Sequence, residues 1–267
     1  MSQRIAILGA GVMGETLLAA ILGQGHPVGD LVISEKRDER AAELRETYGV
    51  EVTGNAEAVT GADTILIVVK PQDVPSLLTE IAANVDASST VVSLAAGILI
   101  ETIEAALPAG VAVVRAMPNT PALVGEGMFG ISPGASCSDG QLVAVSALLE
   151  SGGKVVVVDE SQQDAVTAVS GSGPAYVFYL AEAMIAGGID AGLDEATART
   201  LAAQTLVGAA KLLAESDETA DELRRRVTSP NGTTAAAIAT FDDNGVKDAL
   251  IAGVKAAAAR SAELSKP

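Results

Sequence analysis

The chain has 267 residues, 49% of them apolar yet only 2% aromatic, and a formal net charge of −17. This length buries a sizeable core, as one large domain or two modest ones, and the composition makes that core aliphatic and packed from small side chains. The acidic balance argues against nucleic acid and anionic membrane surfaces as partners, since both ask for a basic face. It leaves room for small anions, because a local nest of backbone amides outweighs a distant field.

Cys137 is the one cysteine, so no internal disulfide forms and a reducing cytoplasm is the compartment expected. Met-Ser-Gln runs straight into a strand-like segment without a basic-then-apolar leader, and no apolar run approaches membrane-span length. The expectation is a soluble, cytoplasmic protein.

In chain order, the strand-like runs are RIAILGA, DLVISEK, VEVTG, DTILIVVK, TVVSLAAG, VAVVRAMP, MFGIS and KVVVVD. Amphipathic stretches such as GETLLAAILGQG and RDERAAELRETYG lie between several of them. Apolar strands alternating with helices predict a parallel, doubly wound sheet. After residues 154–159 no strand pattern remains. DAVTAVSGSGPAYVFYLAEAMIAG, DEATARTLAAQTLVGAAKLLAES and VKDALIAGVKAAAARSAEL all read as helix. In the last, Leu250, Val254, Ala257, Ser261 and Leu264 step by four and three along one face. The expected fold is an α/β Rossmann-type dinucleotide-binding domain over residues 1–160, followed by an all-α helical domain over residues 161–267.

Gly9-Ala10-Gly11-Val12-Met13-Gly14 follows the first strand and opens a helix. In that context Gly9 permits the tight turn, Gly11 lets a pyrophosphate approach the backbone, and Gly14 lets helix pack on strand. The helix N-terminus, with Val12 and Met13, then faces the diphosphate. After the second strand come Ser34, Glu35, Lys36 and Arg37. A small hydroxyl residue with two cations suits a ribose 2′-phosphate and favours NADPH, while Glu35 leaves NADH open.

Ligands of open α/β sheets sit outside the carboxyl ends of the strands. There the sequence places Val69 and Lys70 followed by Pro71-Gln72, then Ala95-Ala96-Gly97, then Arg115-Ala116-Met117-Pro118-Asn119-Thr120-Pro121. Ala95 and Gly97 leave no bulky side chain where a nicotinamide ring would lie. The prolines around Asn119 fix a rigid loop, and Asn119 is a candidate hydrogen-bond partner for cofactor or substrate. His26 is the only histidine and sits in a loop before the second strand, so a serine–histidine triad and a histidine-based zinc site are excluded from the reading.

A further oddity is RRRVTSPNGTTAAAI, residues 224–238, where helical sequence is interrupted by Ser229-Pro230-Asn231-Gly232-Thr233-Thr234. A proline removes an amide donor and an Asn-Gly pair invites a turn.

Together with Ser170-Gly171-Ser172-Gly173-Pro174-Ala175-Tyr176, these motifs in this order resemble the pyrroline-5-carboxylate reductase family over nearly the whole chain. The resemblance implies an NADPH-dependent reductase whose helical domains interlock into dimers, which in many members assemble into a decamer of five dimers. The implied substrate is a five-membered cyclic imine bearing a carboxylate, and the product is proline. One departure is Asn231, which stands where the family's usual Ser-Pro-Gly-Gly-Thr-Thr has glycine; Asn tolerates left-handed turns, so the loop is expected to persist. Within it, Ser229 is read as a cap, Pro230 as a first helical position, and the amides of Asn231, Gly232 and Thr233 as an unpaired carboxylate site. Thr234 is the catalytic candidate, orienting the imine nitrogen through its hydroxyl. The SGSGPAY segment is read as a close-packing contact region without catalytic duty. A related β-hydroxy-acid dehydrogenase would need a lysine early in the second domain, and residues 169–186 contain none. A non-catalytic NADP sensor would not need the loop at residues 229–234.

Overall fold

The computed structural model of the protein describes residues 3–265. All eight strand-like runs become strands: β1 (Ile5–Leu8), β2 (Leu31–Ser34), β3 (Glu51–Thr53), β4 (Thr64–Ile67), β5 (Thr90–Ser93), β6 (Ala112–Met117), β7 (Gly127–Pro133) and β8 (Gly153–Val157). They form one sheet in the order β3-β2-β1-β4-β5-β6-β7-β8. The direction of winding reverses between β1 and β4, which makes the crevice there the place for a ligand.

Helices α1 (Val12–Gly23), α2 (Asp38–Tyr48), α3 (Asn55–Val59), α4 (Val74–Ile81), α5 (Ile100–Ala106) and α6 (Asp139–Leu149) cover both faces. Ile5, Ile7, Leu31 and Ile33 meet Leu17, Leu18 and Ile21 of α1, Leu44 of α2 and Leu149 of α6. Ala6, Leu8, Val32 and Ile65 meet Val59 of α3, Leu77 and Ile81 of α4 and Ile103 of α5. A strand buried on both faces has no polar side to alternate, which is why β1, β2, β4 and β5 are buried along their whole length.

The expectation of a parallel sheet needs one correction. β7 pairs antiparallel with β6, Val114 opposite Pro133 and Met117 opposite Gly130, and β8 then runs parallel to β7. Residues 118–126, including a 3-10 turn at Thr120–Val124, are all that join β6 to β7. A parallel return needs a crossover of about a dozen residues or more, which that link does not provide. Between β7 and β8, α6 does provide one.

Beyond β8 the chain is helical: α7 (Gln163–Val166), a π-helical turn (Thr167–Gly171), α8 (Gly173–Asp190), α9 (Glu195–Glu215), α10 (Ala220–Arg226), α11 (Thr233–Asp243) and α12 (Val246–Leu264). The first of the three long helices expected is therefore broken. The Ser172 amide reaches back to the Thr167 carbonyl at 2.8 Å, and the helix restarts at Gly173 with Pro174 in its first turn, where a missing N–H leaves no bond unmade.

By packing, the chain divides into two compact units: one runs to Ser172 and takes in the chain again from Ala257, the other is Gly173–Ala256. The change from strand to helix thus comes after Val157, while the division by packing comes later and returns the last turns of α12 to the first unit. Within the second unit, Gly188 of α8 lies beside Ala198 of α9. Ala198 and Ala202 are buried there, while Phe178, Tyr179, Leu201, Val207, Leu212 and Phe241 are exposed.

Candidate active site

The turn from β1 into α1 uses its three glycines differently. Gly9 has φ of +107°, and its amide donates to the Ser34 carbonyl at 3.2 Å. A Cβ on Gly14 would lie 2.0 Å from the Gly9 carbonyl oxygen, so α1 reaches this distance from the turn only with glycine there. At Gly11 an added Cβ would meet nothing within 4 Å. That side is open, as a cradle for a ligand must be. Gly11 is the N-cap of α1 and supplies no side chain, and the first helical bond runs from the Glu15 amide to the Gly11 carbonyl at 3.0 Å. The amides of Val12, Met13 and Gly14 are left without helical acceptors, and with the helix dipole they suit a diphosphate.

A cleft of about 370 Å³ opens beside this turn and gathers Gly9, Ser34, Lys36, Arg37 and Val69. Five candidate positions from three strand ends therefore share one space. Asn55, at the start of α3, lines the same cleft and was not among the sequence candidates. The Ser34 hydroxyl donates to Asn55 Oδ1 at 2.5 Å, and Asn55 Nδ2 donates to Glu80 at 2.9 Å. A polar residue opening the helix just beyond a strand's carboxyl end, after Gly54, is the signal that could have marked it.

The two cations are not equivalent. Arg37 donates to Glu35 through Nε at 3.1 Å, Nη2 at 3.0 Å and its backbone amide at 2.9 Å. Side-chain bonding from Arg37 holds the Glu35 carboxyl below its usual range, against the opposing effect of burial. Among the described residues Lys36 has no ion-pair partner. Lys36 is thus the freer charge, and Glu35 partly neutralises Arg37.

Along the carboxyl edge the picture departs from expectation at two places. Lys70 is exposed, but Ala95 is buried, and Gly97, with φ of +76°, lies against the end of α12. A Cβ on Gly97 would sit 3.2 Å from the Leu264 carbonyl oxygen. One side of this loop is covered because the last turns of α12 return to the first unit. Asn119 is also engaged internally: its Oδ1 accepts from the Met128 amide at 2.9 Å, and its Nδ2 donates to the Ser170 hydroxyl at 3.2 Å and carbonyl at 3.3 Å. Both amide protons have protein acceptors, so Asn119 ties the β6–β7 link to the π turn and is not a free ligand donor as expected.

In the loop at residues 229–234, the expected capping is corrected. The N-cap of α11 is Gly232, not Ser229, and no side chain caps it. Pro230 lies outside the helix, in a turn closed by the Gly232 amide donating to the Ser229 carbonyl at 3.0 Å. Proline at the second position and Asn231 at the third with φ of +58° are the requirements of a type II turn. This removes the Gly232 amide from the expected anion site. The open amides belong two residues further on, to Thr233, Thr234 and Ala235, because the first helical bond runs from Ala236 to Gly232. Thr234 is half-buried and Ser229 exposed.

Other features stand apart. His26 is half-buried and bonds the Gln3 carbonyl at 2.9 Å. Burial, and then the Asp139 charge, raise the Cys137 thiol pKa, which disfavours the thiolate. A second cleft of about 400 Å³ lies along α1 and contains Val12, Glu15, Tyr48 and Ser151. Its carboxylate is held by Arg40 and by the Tyr48 hydroxyl, the latter at 3.1 Å. No helix among the described residues is long and apolar enough to cross a membrane.

The amino-terminal part, residues 4–97, matches the family model described as NADP oxidoreductase, coenzyme F420-dependent. Residues 160–264 match the model for pyrroline-5-carboxylate reductase dimerisation, which marks the helical segment as one built for self-association. A pyrroline-5-carboxylate reductase of Mycobacterium tuberculosis H37Rv is 44% identical, over 98% of this chain and 96% of the relative. The structure of a pyrroline-5-carboxylate reductase from Coxiella burnetii superposes over all of both chains with a TM-score of 0.95 at 30% identity. That of the Plasmodium falciparum enzyme, solved with NADP bound, has a TM-score of 0.87 at 27% identity and covers 99% of this chain and 98% of that one. The chain belongs to the pyrroline-5-carboxylate reductase family.

Proposed function

We propose that this protein reduces 1-pyrroline-5-carboxylate to L-proline with NADPH, the last step of proline biosynthesis. The observation that carries this reading is full-length family membership together with an intact loop at residues 229–234 that opens a helix with free amides. When bound, NADPH would supply the hydride for the imine carbon, and the ring nitrogen would take its proton from solvent.

The residues divide the binding work by charge and shape. Gly9, Gly11 and Gly14, with the amides of Val12 and Met13, hold the diphosphate at the start of α1. Ser34, Lys36, Arg37 and Asn55 take the ribose phosphate, with Lys36 the main cation. Val69, Lys70, Ala95 and Gly97 flank the nicotinamide end. The substrate carboxylate is held by backbone amides at the start of α11, Thr233 and Thr234 among them, behind the turn of Ser229, Asn231 and Gly232. Holding an anion with amides and a helix dipole needs no basic side chain, which suits a chain of net charge −17. Thr234 orients the imine nitrogen through its hydroxyl. A threonine hydroxyl is too weak an acid to be the proton source, so its contribution is positional.

In this reading residues 1–160 form the NADP-binding domain and residues 161–267 the substrate-binding and dimerisation domain. Exposed Phe178, Tyr179, Val207 and Leu212 support a dimer in which they are covered, with a decamer of five dimers as the larger assembly. The cytoplasm is the compartment. The test is cofactor oxidation by purified protein with racemic pyrroline-5-carboxylate and NADPH or NADH in parallel. Proline as product with NADPH faster is expected. Folded protein that binds NADPH but oxidises neither cofactor would overturn the reading.

A further inference from the structure

The loop at residues 94–99 leaves β5 and enters α5, and it carries Ala95 and Gly97. At its start the Leu94 amide donates to Ile67 at 2.9 Å, an ordinary continuation of the sheet. Its middle and its far end are held by residues distant in sequence. The Ile100 amide, which opens α5 and has no helical acceptor, donates to Glu160 Oε1 at 2.8 Å. The same oxygen accepts from Arg115 Nη1 at 3.2 Å, and Arg115 is only 5% exposed on β6. On the other side, the backbone of Leu264 closes over Gly97. That end of α12 is secured by buried Ser261, whose hydroxyl donates to Asp164 at 2.6 Å. Glu160 and Leu264 are the first and last residues matched by the dimerisation model.

We propose that Glu160 and Ser261 are positioning residues for the cofactor loop. Glu160 fixes the loop's exit through the Ile100 amide, and Ser261 holds the end of α12 against Gly97. The nicotinamide side of the cofactor site is then shaped from both ends of the 160–264 segment, and not by the sheet alone. Glu160 acts mainly as a hydrogen-bond acceptor with its charge balanced by Arg115, so glutamine should replace it better than alanine. The proposal rests on the assignment of residues 95–97 to the cofactor made above.

The test compares Glu160→Ala, Glu160→Gln and Ser261→Ala with the wild type, and uses Glu51→Gln in the surface pair with Arg4 as the control. NADPH affinity is read by fluorescence titration, and kcat and the KM of each substrate by turnover. Loss of one charge-assisted bond corresponds to about tenfold, so Glu160→Ala should raise the NADPH Kd and KM by about that factor. The KM for the imine and kcat should stay within about twofold, as should every constant of the control, since an exposed pair contributes little. Glu160→Gln should recover most of the loss, and Ser261→Ala should shift NADPH in the same direction by a smaller factor. Should Glu160→Ala not fold, the glutamine and serine variants carry the test. Unchanged NADPH binding with only a lower Tm would overturn the proposal and leave a purely structural pair. A wild type that binds NADPH but reduces no imine would sink the reductase reading while the titration still decides this one. A wild type that binds no NADPH would overturn both.

Discussion

The Gly232 amide donates to the Ser229 carbonyl at 3.0 Å, and this one bond relocates the start of α11 from the serine to the glycine. The turn it closes forces Asn231 to φ of +58°, the one non-glycine residue at positive φ among those described. Replacing Asn231 with Gly should be nearly neutral in stability. Replacing it with Ala should cost about 1–2 kcal/mol, the penalty of a left-handed residue without a short polar side chain. Thermal melts of the two variants check this, and the KM for the imine should rise only in the alanine variant.

Gly11 and Gly14 should fail for different reasons. A Cβ at position 11 enters open space, so Gly11→Ala should fold normally and lose NADPH affinity. A Cβ at position 14 would collide with the Gly9 backbone, so Gly14→Ala should lower the Tm before any ligand is added. Equal loss of stability in the two variants would contradict this division.

Asn119 should behave as a brace between β7 and the π turn. Asn119→Ala removes three hydrogen bonds and should destabilise by about 1–3 kcal/mol in denaturant titration. Asn119→Asp keeps an acceptor for Met128 but loses the donor to Ser170, so at neutral pH it should not restore the wild-type Tm. Loss of activity at undiminished stability in both variants would instead make Asn119 a ligand contact.

Glu35 and Arg37 make the cofactor site sensitive to acid. The folded-state pKa of Glu35 is lowered, chiefly by Arg37. Its contribution to stability is therefore complete above the unfolded-state carboxylate range and lost as pH falls through the lowered value. In Arg37→Gln that partner is gone while burial remains, so Glu35 should protonate at higher pH and the acid-unfolding limb should move upward. Glu35→Gln removes a negative charge from the phosphate pocket and frees Arg37. The NADPH-to-NADH ratio of kcat/KM should rise by about tenfold, measured on both cofactors in the same buffer.

Thr234→Ala should lower kcat by about tenfold or more, with a smaller change in the KM for NADPH, because one orienting hydrogen bond is lost at the reacting nitrogen. Steady-state kinetics with both substrates varied would expose a different role if kcat were unchanged.

Much of the first unit was legible before folding was considered. Continuous apolar runs such as Thr-Ile-Leu-Ile mark the strands buried on both sides, β1, β2, β4 and β5, and all eight strand-like runs were found in place. The direction of β7 was not legible from its own residues, since parallel and antiparallel pairing are decided by the length and path of the link before it. The π turn at Thr167–Gly171 was equally hidden, because its cause is packing: Gly171 lies against Met117 and Ser170 is bound by Asn119. Ser229 looked like a cap because serine before a helix usually is one, but the type II turn places the helix start three residues later.

What the amino-acid sequence determined by itself is local and periodic: which segments are strand or helix, that three glycines follow β1, and that a proline–asparagine turn breaks the helices. These follow from side-chain period, backbone restriction and turn chemistry, each acting over a few residues. The tertiary structure alone decided which distant groups share a space. It brought Asn55 beside Ser34, engaged Asn119 with Ser170, and set Glu160 and Leu264 around the loop of Gly97. Contacts of that kind depend on how whole elements cross and return, and residue spacing along the chain carries no record of it.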